Sequence, residues 1–270
     1  MMRSLWTSAS GMNAQLFQID VLSNNLANVN TTGFKRERVE FKSLLYETMR
    51  RADLDPVNMT GRPVNLQVGH GVRPAATTRI FSQGMLQTTG RFQDFAIEGN
   101  GFFEIRRDED NYKFTRDGSF SLMPVDGELV LATSDGFPVM SIDREIITFP
   151  YNTDFDMSWV DENGLFHYTV DGATEEGFQL MIVQFPNVQG LLATGANLFQ
   201  ETVASGAPLV EGVDDVGRLS RVHNRTLEMS NVQIAEEMVG LITTQRAFDV
   251  NSRGITASDE MLQTAIQLRR

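Results

Sequence analysis

Cysteine is absent from the 270-residue sequence, and histidine occurs only three times. Without cysteine the chain forms no disulfides and offers no thiolate for catalysis or metal binding. His70, His167 and His223 lie far apart, and none is followed at short spacing by a second metal-binding histidine. We therefore expect neither a metal site nor any other cofactor.

Long apolar runs and an excess of positive charge are also missing. No run of eighteen or more apolar residues occurs, and the first twenty residues lack the continuous apolar core of a secretory signal peptide. We expect no direct membrane insertion and, if the protein leaves the cytoplasm, export without a cleaved signal. The net charge of −12 argues against a nucleic-acid partner, because phosphate binding needs a basic surface.

The negative charge is concentrated in the middle of the chain. Residues 1–50 carry six basic and four acidic residues, and 218–270 carry seven and six, which leaves ten basic and twenty-five acidic residues in 51–217. The middle therefore has a net charge of −15, while the two ends are nearly neutral. Nearly neutral ends can pack against neighbouring molecules without strong repulsion.

Motifs for catalysis are lacking as well. The sequence has no Gly-x-Ser-x-Gly elbow, and Glu98-Gly99-Asn100-Gly101 lacks the third glycine and the following helix of a phosphate-binding loop. The carboxylate clusters Asp108-Glu109-Asp110 and Asp214-Asp215 occur in polar segments typical of solvated turns, where nothing separates the pKa values of paired acids. We expect a protein that is not an enzyme.

The C-terminal residues 227–266 have the pattern of a long amphipathic helix. Ser230 and Gln233 predict an N-cap and a capping box. Gly240, Ala247 and Gly254 repeat every seven residues, which predicts a stripe of small side chains that another helix can approach closely. Glycine inside a helix costs roughly 1 kcal/mol relative to alanine, so this helix depends on what packs against it. Its apolar seam follows steps of four and three residues: Ile234, Met238, Leu241, Gln245, Phe248, Ser252, Ile255, Asp259, Leu262 and Ile266.

The N-terminal residues repeat the same spacing. The helix is predicted to end near Gly33, a natural left-handed cap with Phe34 after it. Asparagines are frequent between residues 24 and 30, and they either solvate the end of the helix or pair with other amides across a helix interface. The seam consists of Leu5, Ala9, Met12, Leu16, Ile19, Ser23 and Leu26.

The segment between the predicted helices changes character near residue 69. Residues 34–50 predict a short extended passage followed by a helical turn or two, and 51–68 predict a long irregular connection. From 69 to 217 the pattern is that of β-strands, with a fully buried strand predicted at 178–185. We expect an antiparallel sandwich or barrel-like domain, with turns at Asn100-Gly101, Asp117-Gly118, Asp126-Gly127, Asp135-Gly136, Asn163-Gly164 and Asp171-Gly172.

Both ends resemble the signatures of the bacterial flagellar rod and hook family. At the N-terminus the similarity covers Ala9-Ser10-Gly11-Met12 and the run from Asn24 to Lys35. At the C-terminus it covers 227–232, 236–239 and 245–248. Phe248 stands where the family usually has tyrosine, and His223-Asn224-Arg225 replaces a small, glycine-containing turn, so local interface details differ there.

Motifs in the middle are similar to those of the distal rod member of this family. They lie at 66–74, 82–84, 96–103 and 114–120, and the resemblance covers nearly the whole chain. It implies an axial structural protein that polymerises into the distal rod, a rigid hollow drive shaft in the periplasm that transmits torque and conducts exported subunits. The implied partners are further copies of the chain, proximal rod proteins, the hook protein, the surrounding ring proteins and the flagellar export apparatus.

The expected fold is α+β. Long N- and C-terminal helices are expected to pair as an antiparallel, coiled-coil-like hairpin, with an inserted and mainly antiparallel β domain. The expected domains are 1–33 with 227–270 for polymerisation, 34–68 as a connecting segment with a rod-type insertion at 46–67, and 69–226 as a β-rich outer domain. Because neither helix buries its seam alone, we expect both to be largely disordered in a monomer and to order on assembly.

Site residues in such a protein are assembly residues. Apolar contacts are predicted along both seams, and three amides are predicted to set the register between helices. The nearest alternative function is a hook or proximal-rod member of the same family, and a more distant one is a secreted hydrolase acting on the cell wall. The predicted assembly residues are Leu16, Ile19 and Leu26, then Met238, Leu241, Phe248, Ile255 and Leu262, with Asn24, Asn28 and Gln245 as the amides.

Overall fold

The computed structural model describes residues 2–54, 61–62, 64–108, 111–125, 127–170, 172–214, 217 and 219–268. The chain divides into two compact units, one made of 1–27, 37–78 and 233–270 and the other of 28–36 and 79–232. The fold is α+β, as predicted. The elements in chain order are α1 (Met2–Ala27), β1 (Glu37–Ser43), β2 (Tyr46–Arg50), β3 (Asp53–Leu54), β4 (Gly61–Arg62), β5 (Leu66–Gly69), β6 (Val72–Arg79), β7 (Leu86–Thr88), β8 (Phe95–Glu98), β9 (Phe102–Asp108), β10 (Asn111–Thr115), β11 (Ser121–Val125), β12 (Glu128–Ala132), β13 (Thr148–Pro150), β14 (Thr153–Val160), β15 (Leu165–Val170), β16 (Ala173–Gln179), β17 (Ile182–Gln184), a 3₁₀ turn (Val188–Gly190), β18 (Leu192–Gly195), β19 (Leu198–Gln200), β20 (Leu209–Val210), β21 (Arg221–Asn224), β22 (Thr226–Glu228) and α2 (Ile234–Gln267).

Helix α1 ends at Ala27, so its predicted end near Gly33 is wrong. Residues 28–30 form a turn instead, in which the backbone carbonyl of Asn28 accepts a hydrogen bond from the Thr31 amide at 3.2 Å. The Asn28 side-chain oxygen accepts a second one from the Thr31 hydroxyl at 3.2 Å. Asparagine side chains compete with helical hydrogen bonding in this way, which explains why the helix stops before the glycine.

Helix α2 begins at Ile234, after Gln233, which makes no side-chain capping hydrogen bond. The predicted cap at Ser230 is therefore wrong. The next residue, Asn231, explains the later start, because its side-chain amide donates to the carbonyl of Ile80 at 2.7 Å and to that of Ser82 at 3.1 Å. These bonds hold the chain in a non-helical path that the local sequence pattern does not reveal.

In the first unit, the segment after α1 is paired β-structure. Strand β1 pairs with β6, β2 pairs antiparallel with β5, and β3 pairs antiparallel with β4. The described residues of 46–69 form a long hairpin, so the helical turns predicted within 34–50 and the irregular connection predicted for 51–68 are wrong there. Cross-strand pairing supplies backbone hydrogen bonds to a sequence with no clear period of its own. Residues 55–60 and 63, part of the predicted insertion, lie outside the described residues.

The second unit is built from several antiparallel sheets. Its largest sheet has six strands in the order β18-β19-β10-β9-β17-β20. Two three-stranded sheets follow the order of the chain, β11-β12-β13 and β14-β15-β16. Two short pairs, β8 with β21 and β7 with β22, join the beginning of this unit to its end. The prediction of a mainly antiparallel domain is confirmed.

Three of the predicted turns join neighbouring strands directly. The β11–β12 hairpin closes at Gly127, the β14–β15 hairpin at Asn163-Gly164 and the β15–β16 hairpin at Gly172. Each of these glycines has a positive φ, which side chains with a Cβ rarely adopt. Asp126 and Asp171, the partners predicted for two of these turns, lie outside the described residues.

Phenylalanine dominates the two hydrophobic clusters of this unit. One contains Phe95, Phe103, Phe120, Phe149 and Phe166, all at most 1% exposed. The other contains Phe102, Phe114, Phe185 and Phe199 among its members. The single strand predicted at 178–185 is wrong, because its residues belong to two sheets: β16 ends at Gln179 and β17 begins at Ile182. The prediction that this segment is buried is right for residues 180–183.

A buried ion cluster ties three distant segments of the second unit together. The ammonium of Lys35 donates to Oε1 of Glu228 at 2.6 Å, and Nη1 of Arg116 donates to Oε2 of Glu228 at 3.3 Å. The side chains of Lys35, Arg116 and Glu228 are at most 2% exposed. Burial lowers the pKa of Lys35, although the carboxylate of Glu228 counteracts the change.

The two units differ from the three-part division predicted from the sequence. Residues 37–78, most of the predicted connecting segment, belong to the unit that contains both helices. Residues 28–36, and the stretch up to Val232, belong to the β-rich unit. The functional boundaries of the predicted domains stay a prediction.

Candidate assembly interface

The two terminal helices pair in antiparallel orientation along a line of small and polar residues. Near one end, Oγ of Ser4 lies 3.0 Å from Oγ of Ser258. A methyl group placed on Gly254 would lie 3.1 Å from Oγ of Ser8, and one placed on Gly240 would lie 3.4 Å from the side chain of Leu22. The prediction that small residues of this stripe allow close helix approach is thus confirmed at Gly240 and Gly254.

At the other end of the pair, one buried asparagine joins three backbone segments. The side-chain nitrogen of Asn25 donates to the carbonyl of Glu37 at 2.9 Å and to Oε2 of Glu237 at 3.1 Å. Its oxygen accepts from the backbone amide of Glu37 at 2.9 Å. Asn25 is fully buried, so these bonds specify one register between α1, α2 and β1. The sequence indicates this asparagine-rich stretch, but the residues predicted from it are Asn24 and Asn28 and not Asn25.

The contact line lies one residue away from the predicted apolar seam on both helices. On α1 the contact residues Ser4, Ser8, Gly11, Leu22 and Asn25 each precede a seam residue. On α2 each contact or buried residue likewise precedes a seam residue. These residues are Glu237, Gly240, Thr244, Asn251, Gly254 and Ser258. Because one residue turns an α-helix by about 100°, the seams flank this contact and do not form it.

This shift places both seams on the same side of the helix pair. The two helices run in opposite directions. Viewed along their common axis, the step of one residue from contact line to seam is therefore clockwise on one helix and anticlockwise on the other. Because the contact lines face each other, both steps lead to the same side of the pair. On the other side of α1, Ala14 and Val21 are buried, and β1 contacts the helix. Oγ of Ser10 also accepts a hydrogen bond from the Val72 amide at 3.4 Å. We call the side that carries Leu5, Ala9, Met12, Leu16, Ile19 and Leu26 together with Ile234, Met238, Leu241, Phe248, Ile255, Leu262 and Ile266 the seam face.

Exposure of the predicted assembly residues follows from this geometry. Leu16 and Met238 are 47% and 52% exposed. Asn24 and Gln245 are exposed, whereas Asn28 is half-buried. The remaining predicted residues are half-buried beside the contact line, namely Ile19, Leu26, Leu241, Phe248, Ile255 and Leu262. Other exposed apolar residues of the two helices lie outside the predicted seams, among them Trp6, Val239 and Val250.

The β2–β5 hairpin of the same unit also presents apolar side chains to solvent. Tyr46, Met49 and Leu66 are 59%, 55% and 54% exposed, although they lie on paired strands. A salt bridge links this hairpin to α1, between Arg3 and Glu47 at 2.5 Å. The charges of such an exposed pair are well solvated, so this bridge contributes little stability.

The three histidines considered as metal ligands lie in separate surroundings. His70 lies 3.6 Å from Glu47, His167 stacks on Trp159, and His223 lies 2.7 Å from Glu98. The hydrogen bond to His223 lowers the pKa of the Glu98 carboxyl. Glu109, Asp110 and Asp215, from the predicted acidic clusters, lie outside the described residues.

Within the described ranges, no group of three or more histidine, aspartate or glutamate side chains is arranged to hold a metal ion. No helix in that part of the chain has both the length and the apolar character needed to cross a membrane.

Comparison with known proteins matches three parts of the chain to family models. Residues 5–35 match the model described as flagella basal body rod protein, and 96–168 match the flagellar hook protein FlgE/F/G D1 domain. Residues 223–268 match the flagellar basal body rod FlgEFG protein C-terminal model. The matched ends contain both terminal seams and the Asn25 contact.

Similar proteins cover the chain from end to end. The flagellar basal-body rod protein FlgG of Borreliella burgdorferi is 45% identical over 272 residues, covering 100% of both chains. FlgG of Buchnera aphidicola subsp. Schizaphis graminum is 43% identical, covering 99% of this chain and 100% of its own. FlgG of Caulobacter vibrioides is 40% identical with the same coverage. By sequence identity over its whole length, and by the matched models at its two helical ends, the chain belongs to the FlgG family of flagellar basal-body rod proteins.

Proposed function

We propose that this chain is an axial structural subunit that polymerises into the distal rod of the bacterial flagellum. It acts mechanically and not as an enzyme, forming a rigid hollow shaft that transmits torque and conducts exported subunits. The observation that carries this proposal is the seam face, where both terminal helices direct their apolar residues to one side of their own contact. Membership in a family of rod proteins supports the same reading.

Energetically, the seam face favours association. Ile234, Met238 and Ile266 are 50%, 52% and 68% exposed. Burying the exposed half of such a side chain contributes roughly 1 kcal/mol, since full burial contributes about 1.5–3 kcal/mol. Repeated along two helices, this gain offsets the cost of ordering segments with weak intrinsic helix stability. The expected disorder of these helices in a monomer, and their ordering on assembly, remain part of the proposal.

The predicted assembly residues keep their proposed roles between subunits. Leu16, Ile19 and Leu26 form the α1 part of the contact, and Met238, Leu241, Phe248, Ile255 and Leu262 form the α2 part. Asn24, Asn28 and Gln245 are proposed to set register against neighbouring chains, while Asn25 sets it within one chain. Contacts of this heterologous kind continue as a helical filament instead of closing into a ring.

The remaining parts of the chain supply the other proposed contacts. The hairpin within 46–67 bridges adjacent subunits, which its exposed Tyr46, Met49 and Leu66 support. The proposed location is the basal body, in the rod that crosses the periplasm. The proposed partners are proximal rod proteins, the hook protein, the surrounding ring proteins and the export apparatus.

Met238→Asp tests the seam face. Met238 is 52% exposed and lies outside the contact between α1 and α2, so the substitution should disturb neither the packing of one helix on the other nor the fold of the β-rich unit. In a polymer the new carboxylate would be buried without a partner, at a cost of several kcal/mol. We expect no filaments in electron microscopy and a monomeric boundary in sedimentation velocity, under conditions where the wild-type chain polymerises.

Ala257→Asp is the matched control, because it adds the same charge to an exposed position of α2 but removes little apolar surface. It should polymerise normally. Normal filaments from Met238→Asp, or equal defects in both variants, would contradict the proposed role of the seam face. Circular dichroism with limited proteolysis of the monomer tests whether the helices order only on assembly.

A hook or proximal-rod member of the same family is the alternative function. Deleting residues 46–67 distinguishes the two, because a bridge between subunits should control stiffness more than secretion. We expect the deletion variant to be exported normally but to form flexible or curved filaments. Straight and rigid filaments from this variant would count against a bridging role.

A further inference from the structure

A polar cavity of the β-rich unit is a second candidate site, separate from the seam face. Its volume is about 330 Å³, and it opens beside the paired strands β9, β10 and β19. The lining residues that carry charge are Glu104, Arg144 and Glu201. We propose that this cavity binds a single basic side chain, arginine or lysine, of a protein that docks on this unit.

The proposal rests mainly on the buried carboxyl group of Glu104. It lies in β9 directly opposite Phe114 of β10, and only 1% of the residue is exposed. Its Oε1 atom is buried and has no hydrogen-bond partner among the described residues. Native proteins rarely leave a buried carboxylate oxygen without a partner, because the loss of water is then uncompensated. A donor that enters the cavity would supply the missing bond.

The charges around Glu104 show which donor is favoured. Burial raises the pKa of its carboxyl, the Arg144 guanidinium counteracts this, and the Glu201 carboxylate adds to the increase. Arg144 itself is exposed and lies over the Tyr112 ring, 5.7 Å from its centroid. Two carboxylates and one guanidinium give the cavity a net negative charge. A nitrogen cation therefore satisfies Glu104 better than a neutral donor does.

Size and ligand count favour a side chain over a metal ion or a larger molecule. Only two carboxylates line the cavity, whereas calcium takes about six to eight oxygen ligands. The volume lies at the lower end of the roughly 300–1,000 Å³ of small-molecule pockets. The residues that line the cavity belong to the segment 51–217, which contains ten basic and twenty-five acidic residues. The negative charge of this segment also attracts a basic partner surface at long range.

The direct test uses a capped tripeptide as the probe. Acetyl-Gly-Arg-Gly-amide is titrated into the full-length monomer by NMR or calorimetry, with the citrulline peptide as its neutral isostere. We expect saturable binding of the arginine peptide that is about tenfold weaker in Glu104→Gln, as for loss of one charged hydrogen bond. The exposed Glu128→Gln is the matched control and should bind like wild type.

Three results would overturn the proposal: no saturable binding, equal binding of the citrulline peptide, or unchanged binding in Glu104→Gln. Should Glu104→Gln fold poorly, Glu201→Gln provides a second variant at an exposed position, with a smaller expected loss. The measurement is made on the monomer, so its failure is distinct from a failure of polymerisation. Polymerisation of Glu104→Gln then identifies the source of the basic group. A defect assigns it to a neighbouring copy, and normal filaments assign it to another protein.

Discussion

Replacing Glu228 with glutamine should strongly destabilise the β-rich unit. This carboxylate accepts hydrogen bonds from Lys35 at 2.6 Å, from Arg116 at 3.3 Å and from the backbone amide of Gly84 at 2.8 Å. It is the acidic partner of both buried cations in the cluster. Glutamine has almost the same shape, so the substitution removes the negative charge without leaving a cavity.

The expected loss follows from what the substitution leaves behind. Removing one partner of a buried ion pair costs about 3–5 kcal/mol, because the remaining charge is buried without compensation. Here two cations remain, and both are at most 2% exposed. Domains of ordinary size have about 5–15 kcal/mol of stability in total, so this loss is a large fraction of it. We expect Glu228→Gln to lower the free energy of unfolding by about 3–5 kcal/mol.

Urea denaturation followed by tryptophan fluorescence measures this loss. The chain has two tryptophans, so a Trp6→Phe background leaves Trp159 as the reporter of the β-rich unit. The transition midpoint should fall with little change in its slope. Glu98→Gln, which removes an exposed pairing with His223, is the control and should leave the midpoint nearly unchanged.

The pH dependence provides a second check. Burial lowers the pKa of Lys35 in the folded chain, so the unfolded chain holds this proton to higher pH. Stability should therefore rise with pH as Lys35 loses its proton, up to the ordinary lysine pKa of about 10.4. The defect of Glu228→Gln should shrink over this range. A variant as stable as wild type at neutral pH would refute the reasoning.

Three further predictions concern single side chains. Asn25→Leu should lower the stability of the assembled chain by about 1–3 kcal/mol in urea denaturation, since it removes the hydrogen bonds of Asn25 to the Glu37 backbone and to the buried Glu237 side chain. Gly71→Ala should lower the free energy of unfolding by about 2 kcal/mol or more, because φ of Gly71 is 108° and the new methyl group would overlap Oγ of Ser10. Gly90→Ala should lower it less, because it meets only the backbone strain of a φ of 81°. Glu104→Gln should stabilise the chain at neutral pH, and the gain should vanish as pH falls below the ordinary glutamate range near about 4.3, where the wild-type carboxyl is also neutral.

Each of these predictions has a result that contradicts it. An Asn25→Leu chain with wild-type stability would mean that water replaces the lost hydrogen bonds. Equal costs for the two glycine variants would mean that backbone strain, and not overlap with α1, accounts for the effect at Gly71. A Glu104→Gln variant less stable than wild type at neutral pH would mean that the carboxylate is already satisfied in the native chain.

The sequence by itself determined the helical ends, the β-rich middle and the family. Heptad spacing and the Gly240, Ala247 and Gly254 stripe are local patterns, and a helix displays them whatever surrounds it. Glycine turns such as Asn163-Gly164 likewise act through their own backbone conformation. Such features could be read without a structure because their physical cause lies within a few residues.

Only the tertiary structure decided which face of each helix is used within the chain. The sequence indicated two contact surfaces, the apolar seams and the stripe of small residues, and the structure shows that small and polar residues form the contact within the chain and bury Asn25 against Glu37 and Glu237. The pairing of β2 with β5, the late start of α2 and the cluster around Glu228 depend equally on residues distant in the sequence. These choices rest on long-range hydrogen bonds and close packing, which no local period encodes.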